Sequence, residues 1–156
     1  MKIVLQRVRR ASVTVFESNQ SGGRIAGEIG PGLVLLVGLK AGDIMESAAR
    51  LAKKILELRI FEDKAGKMNR SVVEAKGQLL VISQFTLHGS TRKGRRPSFT
   101  GTMPPDEAEK MYSRFVQMLS DTGIKVATGV FGAKMEVEII NDGPVTFILE
   151  DDISQA

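Results

Sequence analysis

Cysteine and tryptophan are absent from these 156 residues, and histidine and tyrosine occur once each. Without cysteine the chain has no disulfide, no iron–sulfur cluster, no thiolate nucleophile and no cysteine-ligated zinc. A single histidine excludes sites that need two or three imidazoles, while a carboxylate-held Mg²⁺ stays open. With seven phenylalanines as the main supply of rings, the core falls to Val, Ile, Leu and Met. Long apolar runs are lacking too. The longest, Leu33 to Val37, has the length of a buried strand and falls far short of the roughly 20 residues that span a bilayer. The opening stretch Met1 to Arg7 reads as a strand and lacks the apolar centre of a secretory signal. These absences predict a soluble, cytoplasmic protein with no membrane contact, in which the sequon Asn69-Arg70-Ser71 goes unglycosylated.

Apolar residues make up 42% of the chain and charged residues 26%, a globular balance. The length predicts one domain over 1–156, large enough to hold a core without staples. The net charge of +4 is unevenly spread. Residues 1–16 carry Lys2, Arg7, Arg9 and Arg10 and no acid, and 75–105 carry Lys76, Arg92, Lys93, Arg95 and Arg96, again with no acid. Arg92, Lys93, Arg95 and Arg96 share one short Gly- and Pro-flanked stretch, which reads as an exposed loop. Such a loop suits phosphate contact, because guanidinium forks match phosphate oxygens and counterion release favours binding. It is equally readable as an ordinary solvated loop.

Hydrophobic patterning predicts strands over 2–16, 24–29, 33–39, 58–61, 78–87, 124–127, 135–140 and 145–149. The run at 33–39 reads as buried on both faces. A helix is expected from an Asp43 cap to about Leu56, and a second from about Pro104 to Thr122 behind a Thr102 cap. Glu62 to Arg70 reads as a polar turn. Asn141-Asp142-Gly143-Pro144 reads as the connection between the last two strands. The predicted fold is α/β of the α+β kind: a curled, largely antiparallel, barrel-like sheet with two main helices on one side.

Common phosphate motifs fail. Gly89 and Gly94 have Walker spacing, but Arg95-Arg96 replaces the required Lys and Ser/Thr. Ser83-Gln84-Phe85-Thr86 at a strand end places hydroxyls, an amide and free backbone N–H groups beside the cationic loop, which suits oxyanion stabilisation. If the strand continues, Thr86 and His88 face the same way and could pair as nucleophile and base, although no third orienting group is visible. Gly143-Pro144 fits a plain hairpin turn, or a carbonyl that approaches a ligand closely because Gly lacks Cβ. Phe131-Gly132-Ala133-Lys134-Met135 fits a pocket wall, a bulge or plain core.

Taken together, these segments resemble the D-aminoacyl-tRNA deacylases. Ser83-Gln84-Phe85-Thr86-Leu87 matches the family's first signature and Asn141-Asp142-Gly143-Pro144-Val145-Thr146 its second. Met1 to Val15, Gly27 to Gly38, the Phe61-Glu62-Asp63 and Lys67-Met68-Asn69 stretches, Lys93 to Phe99, and Thr128-Gly129 through Met135 are similar as well. The resemblance covers essentially the whole chain. It implies a homodimer with two interface sites and hydrolysis of the ester joining a D-amino acid to the 3′ adenosine of tRNA. Glycine mischarged on tRNA would be accepted and L-aminoacyl-tRNA spared. No cofactor or metal is implied. Ser83, Gln84, Phe85 and Thr86 would form the catalytic pocket, with either Thr86 or backbone N–H groups and the substrate's ribose hydroxyl doing the chemistry. Gly143 and Pro144, joined by a cis bond, would enter the partner's pocket and block L side chains. Phe131, Ala133 and Met135 would line the pocket, and Arg7 would support the Gly-Pro turn. Beside this stand two other readings: a non-catalytic RNA-binding module, and a different hydrolase using Thr86 and His88.

Overall fold

A computed structural model describes residues 1–18 and 21–151. The order of elements is β1 (Lys2–Phe16), β2 (Arg24–Ile29), β3 (Gly32–Gly38), α1 (Met45–Glu57), β4 (Phe61–Glu62), β5 (Met68–Arg70), β6 (Gln78–Ser83), a 3-10 turn (Phe85–His88), α2 (Pro105–Ser120), β7 (Val126–Thr128) and β8 (Lys134–Glu150).

The long strand β1 organises the sheet. It pairs antiparallel with β8 from Lys2↔Glu150 to Phe16↔Lys134. Its other partners divide its length: β3 takes residues 2–8 and β2 takes 11–15, both antiparallel. Parallel β6 and then β7 extend the sheet from β3. The free end at β7 comes round against β2, so the sheet curls almost shut. The expected architecture holds, with parallel pairing confined to β3–β6 and β6–β7. Gly32 lets β3 lie tightly against the start of β6: a Cβ there would lie 1.9 Å from the Gln78 carbonyl oxygen.

Both faces of the curl are apolar at its centre. Leu33, Leu35 and Val37 of β3 join Leu79 and Val81 of β6 in one cluster with Ala48, Leu51, Ala52 and Ile55 of α1 and Met111, Tyr112, Phe115 and Leu119 of α2. Val34, Leu80 and Ile82 point the other way, into the curl, with Val8, Val13 and Ile29. Alternate side chains of a strand leave on opposite faces, so burial on both sides requires an unbroken apolar run. Each fully buried Leu or Ile contributes about 1.5–3 kcal/mol.

Several local expectations are corrected. Asp43 does not cap α1, whose flanking residue is Ile44 with no side-chain cap. Its carboxylate instead binds the Met1 ammonium and accepts the Lys40 N–H at 2.8 Å. Thr102 likewise leaves α2 uncapped and donates to the Phe99 carbonyl at 2.8 Å. Pro105 opens α2, with Asp106 and Glu107 in its first turn facing the positive end of the helix dipole. The polar stretch after Phe61 is a small hairpin, β4–β5. Asp63 closes it by accepting the Ala65 and Lys67 N–H groups at 2.8 and 3.0 Å, and these donors hold its carboxyl below the usual carboxylate range.

The largest correction concerns the final strands. Residues 134–150 form the single strand β8, paired with β1 on both sides of an interruption, and no hairpin connects its halves. Gln6 pairs with Thr146 and Val8 with Asn141, so residues 142–145 stand opposite Arg7 alone and bulge out of the sheet.

Candidate active site

β6 stops at Ser83, where the Gln84 N–H makes a last bond to the Val37 carbonyl at 2.7 Å. The backbone then tightens into the 3-10 turn. This ends the premise that Thr86 and His88 face alike. At three residues per turn, positions two apart point about 240° apart. The His88 ring donates to the Gly38 backbone while its Nε2 is buried without a partner, and burial lowers its pKa and keeps it neutral. The Thr86 hydroxyl oxygen accepts instead from Gln84 Nε2 at 2.5 Å. Among the described residues the Phe85 and Thr86 N–H groups have no backbone acceptor, as expected at the start of a helical turn.

A cavity of about 480 Å³ opens beside this turn. Its walls bring together Ser83, Gln84 and Phe85 with Phe131, Ala133 and Met135, sequence-nominated residues drawn from two distant segments. Thr86 follows Phe85 in the turn and is not among the lining residues. Ile82 and Val137 line it from the inner face of the curl, and Met103, Pro105 and Ala108 from the start of α2. Sequence reasoning missed this last wall. Its signal was Met103-Pro104-Pro105, an apolar residue and a rigid helix entry directly after the basic stretch. The Phe131 ring packs 5.9 Å from that of Tyr112, whose hydroxyl donates to the Val81 carbonyl at 2.8 Å. Burial pushes the Tyr112 pKa up, so the phenol stays neutral. Among the described residues no three His, Asp or Glu side chains cluster as a metal-binding set.

Gly143 and Pro144 sit apart from this cavity, exposed at the tip of the β8 bulge and joined by a cis peptide bond. Gly143 has φ +137°, and an added Cβ would meet Val145 Cγ2 at 2.6 Å, so both backbone and space require glycine. Arg7 is buried beneath the bulge at 4% exposure. It donates to the Asp142 carbonyl at 3.1 Å and the Ile60 carbonyl at 2.7 Å, and its charge lies 3.4 Å from the Asp142 carboxylate. The neck of the bulge carries a clasp whose role the sequence did not announce. Thr146 Oγ1 accepts from Gln6 Nε2 at 3.2 Å and Asn141 Nδ2 at 3.1 Å, and Asn141 Oδ1 accepts the Val145 N–H at 2.9 Å.

Arg92, Lys93, Arg95 and Arg96 occupy the exposed tip of a loop closed by reciprocal backbone bonds between Ser90 and Ser98, at 2.8 and 2.9 Å. Phe99, just past its base, meets the Phe85 ring edge to face at 5.1 Å. The cationic loop is thereby anchored to the cavity wall. No helix among the described residues is long and apolar enough to cross a membrane.

Residues 4–150 match the family model described as D-Tyr-tRNA(Tyr) deacylase. A D-aminoacyl-tRNA deacylase of Heliobacterium modesticaldum is 55% identical over 150 residues, covering 96% of each chain. The Geobacter sulfurreducens protein of that name is 53% identical, covering 96% of this chain and 95% of its own. Among solved structures, a c-Myc DNA unwinding element binding protein superposes with TM-score 0.88 at 42% identity, covering 97% of this chain and 99% of its own. A probable eukaryotic D-amino acid tRNA deacylase superposes with TM-score 0.80 at 18% identity, covering 95% and 97%, a likeness of fold.

Proposed function

The chain belongs to the D-Tyr-tRNA(Tyr) deacylase family, and from that premise we propose that it hydrolyses the ester of D-aminoacyl-tRNA in the cytoplasm, accepts glycine mischarged on tRNA, and spares L-aminoacyl-tRNA. The observation that carries this reading is the cavity in which Ser83, Gln84 and Phe85 face Phe131, Ala133 and Met135. It is concave, mostly apolar and edged by a few polar groups, the usual build of a small-ligand site.

An aminoacyl ester is already activated, so positioning and electrostatics suffice. In the proposed reaction a water oxygen attacks the ester carbonyl carbon, the Phe85 and Thr86 N–H groups meet the oxyanion, the bond to the 3′ oxygen breaks, and that oxygen leaves with the proton the water gave up. Where the neighbouring ribose hydroxyl attacks first, its proton goes to the departing 3′ oxygen, and water then cleaves the resulting 2′ ester in the same way. One such donor lowers the barrier by about 2.7–4 kcal/mol. The Thr86 oxygen's contact is the Gln84 amide, which cannot take up a proton, and this favours the backbone route over nucleophilic attack by Thr86.

The chiral filter belongs to Gly143 and Pro144 of a second copy. Two observations support that placement. The pair stands outside its own chain's cavity, and β8, which carries it, pairs only with β1 among the described residues and exposes Phe147 and Ile148 nearby. An unpaired apolar edge of this length needs a cover. Bulge carbonyls entering the partner's cavity would crowd an L side chain and leave the D position free, so selectivity comes from a clash and not from gripping one side chain. Arg92, Lys93, Arg95 and Arg96 would meet acceptor-end phosphates.

The deciding experiment is paired hydrolysis of D-tyrosyl-tRNA and L-tyrosyl-tRNA by the purified protein in EDTA. Rapid loss of the D ester alone is expected. Loss of neither ester with tRNA still bound returns the RNA-binding module, and loss of both removes the chiral filter. In the same assay Thr86→Ala retains turnover if the backbone route operates.

A further inference from the structure

Three phenylalanines are exposed among the described residues, and two of them, Phe85 at 57% and Phe99 at 38%, meet each other at the rim of the cavity. Leaving two large rings in water is unfavourable unless something covers them. Their pairing is also built in. Phe99 lies so close over Gly89 that a Cβ there would stand 2.7 Å from its ring. Gly89 itself is fixed by its N–H bond to the Thr86 carbonyl at 3.0 Å. The ring pair therefore sits at a set place, joining the cavity wall at Phe85 to the base of the cationic loop at Phe99.

We propose that the Phe85–Phe99 pair is a stacking platform for the unpaired nucleobase immediately 5′ of the terminal adenosine. This rests on the deacylase reading, which puts the aminoacylated end of a single RNA strand in the cavity. A strand leaving that cavity over the Phe85 rim crosses the two rings and reaches Arg92, Lys93, Arg95 and Arg96. No carboxylate among the described residues pairs with those four cations. Aromatic faces beside a cationic track are the standard means of holding single-stranded nucleic acid. Stacking tolerates any base and leaves sequence unread. The platform would bind the end common to its substrates while the cavity judges the amino acid.

The test uses a stem–loop RNA ending in the unpaired tRNA 3′ sequence and a second RNA lacking only the base next to the terminal adenosine. Affinities are measured for the wild-type protein and for Phe99→Leu, which keeps apolar bulk without a π face. The wild type is expected to bind the intact RNA roughly 5- to 150-fold more tightly than the abasic one. That ratio should collapse towards unity in Phe99→Leu and persist in Phe99→Tyr. Equal binding of both RNAs by the wild type overturns the platform. So does a ratio that survives in Phe99→Leu, including one that survives while the variant loses its dimer, which would make the pair a subunit contact. D-tyrosyl-tRNA turnover of the same wild-type preparation is read separately. Its absence overturns the deacylase reading, while the RNA ratios report on stacking by themselves.

Discussion

His88 and Arg7 show two ways a polar side chain can be buried in this protein. Arg7 is surrounded by the Asp142 and Ile60 carbonyls and by the Glu62 and Asp142 carboxylates. Burial holds His88 neutral, opposed by its bond to the Gly38 backbone and by Asp43 and helped by the Met1 ammonium and Lys2, and its Nε2 has no partner. Its folded pKa lies below the unfolded value of 6.5. The stability it provides is therefore complete above that pH and is lost as pH falls through the lower folded value. Denaturation midpoints measured from about pH 7.5 down to about pH 5 should fall more steeply for the wild type than for His88→Asn. His88→Asn should retain turnover of the D ester at neutral pH, because the ring does not line the cavity. The sequence suggested a Thr86–His88 pair because apolar spacing continued to Leu87. What it could not show was that β6 ends at Ser83, where its pairing with β3 runs out.

The β8 bulge has sequence signals indistinguishable from those of a hairpin. Asn-Asp-Gly-Pro is turn chemistry either way, and the apolar alternation is the same on both sides. The difference is the partner: both halves pair with β1 rather than with each other, a long-range choice that local pattern does not encode. Ser83, Gln84, Phe131 and Met135, which the structure brings to one cavity, were nominated through the family resemblance, because a polar strand end and a small-residue stretch alone fit ordinary structure equally well. The Thr146 clasp was not, because a threonine in a strand is ordinary. Thr146→Val removes the oxygen that accepts from Gln6 and Asn141. It should cost about 1 kcal/mol of stability. If the clasp fixes the pitch of the filter, L-tyrosyl-tRNA hydrolysis should rise by roughly tenfold while D turnover stays within a few-fold, about 1.4 kcal/mol of lost discrimination. Thr146→Ser should restore both. An unchanged L-to-D ratio in Thr146→Val would limit the clasp to a structural role.

The curled sheet and its helical cover were readable from periodicity, since unbroken apolar runs and two amphipathic stripes leave few other arrangements. The closure of β7 towards β2 was not readable, because it depends on strand twist accumulated across the whole sheet. The proposed site, drawn from two copies, predicts that function depends on concentration. Serial dilution, with molecular mass and specific activity followed together, should show D turnover falling as the dimer dissociates. Constant specific activity across that transition would place the whole site within one chain.

Pairing β1 with β8 also has a consequence for biosynthesis. β1 is synthesised well before β8 and waits for it, since Lys2 pairs with Glu150 and Phe16 with Lys134. Until β8 emerges, one edge of β1 lacks its partner and Arg7 lacks Asp142. Such non-local closure is slow to form and leaves strand edges open to wrong partners in the meantime. A chain cut short before β8 therefore lacks the sheet's longest seam and the bulge together. The chain is thus made all or none: a prematurely terminated copy lacks both the Gly143-Pro144 bulge and the seam that holds it.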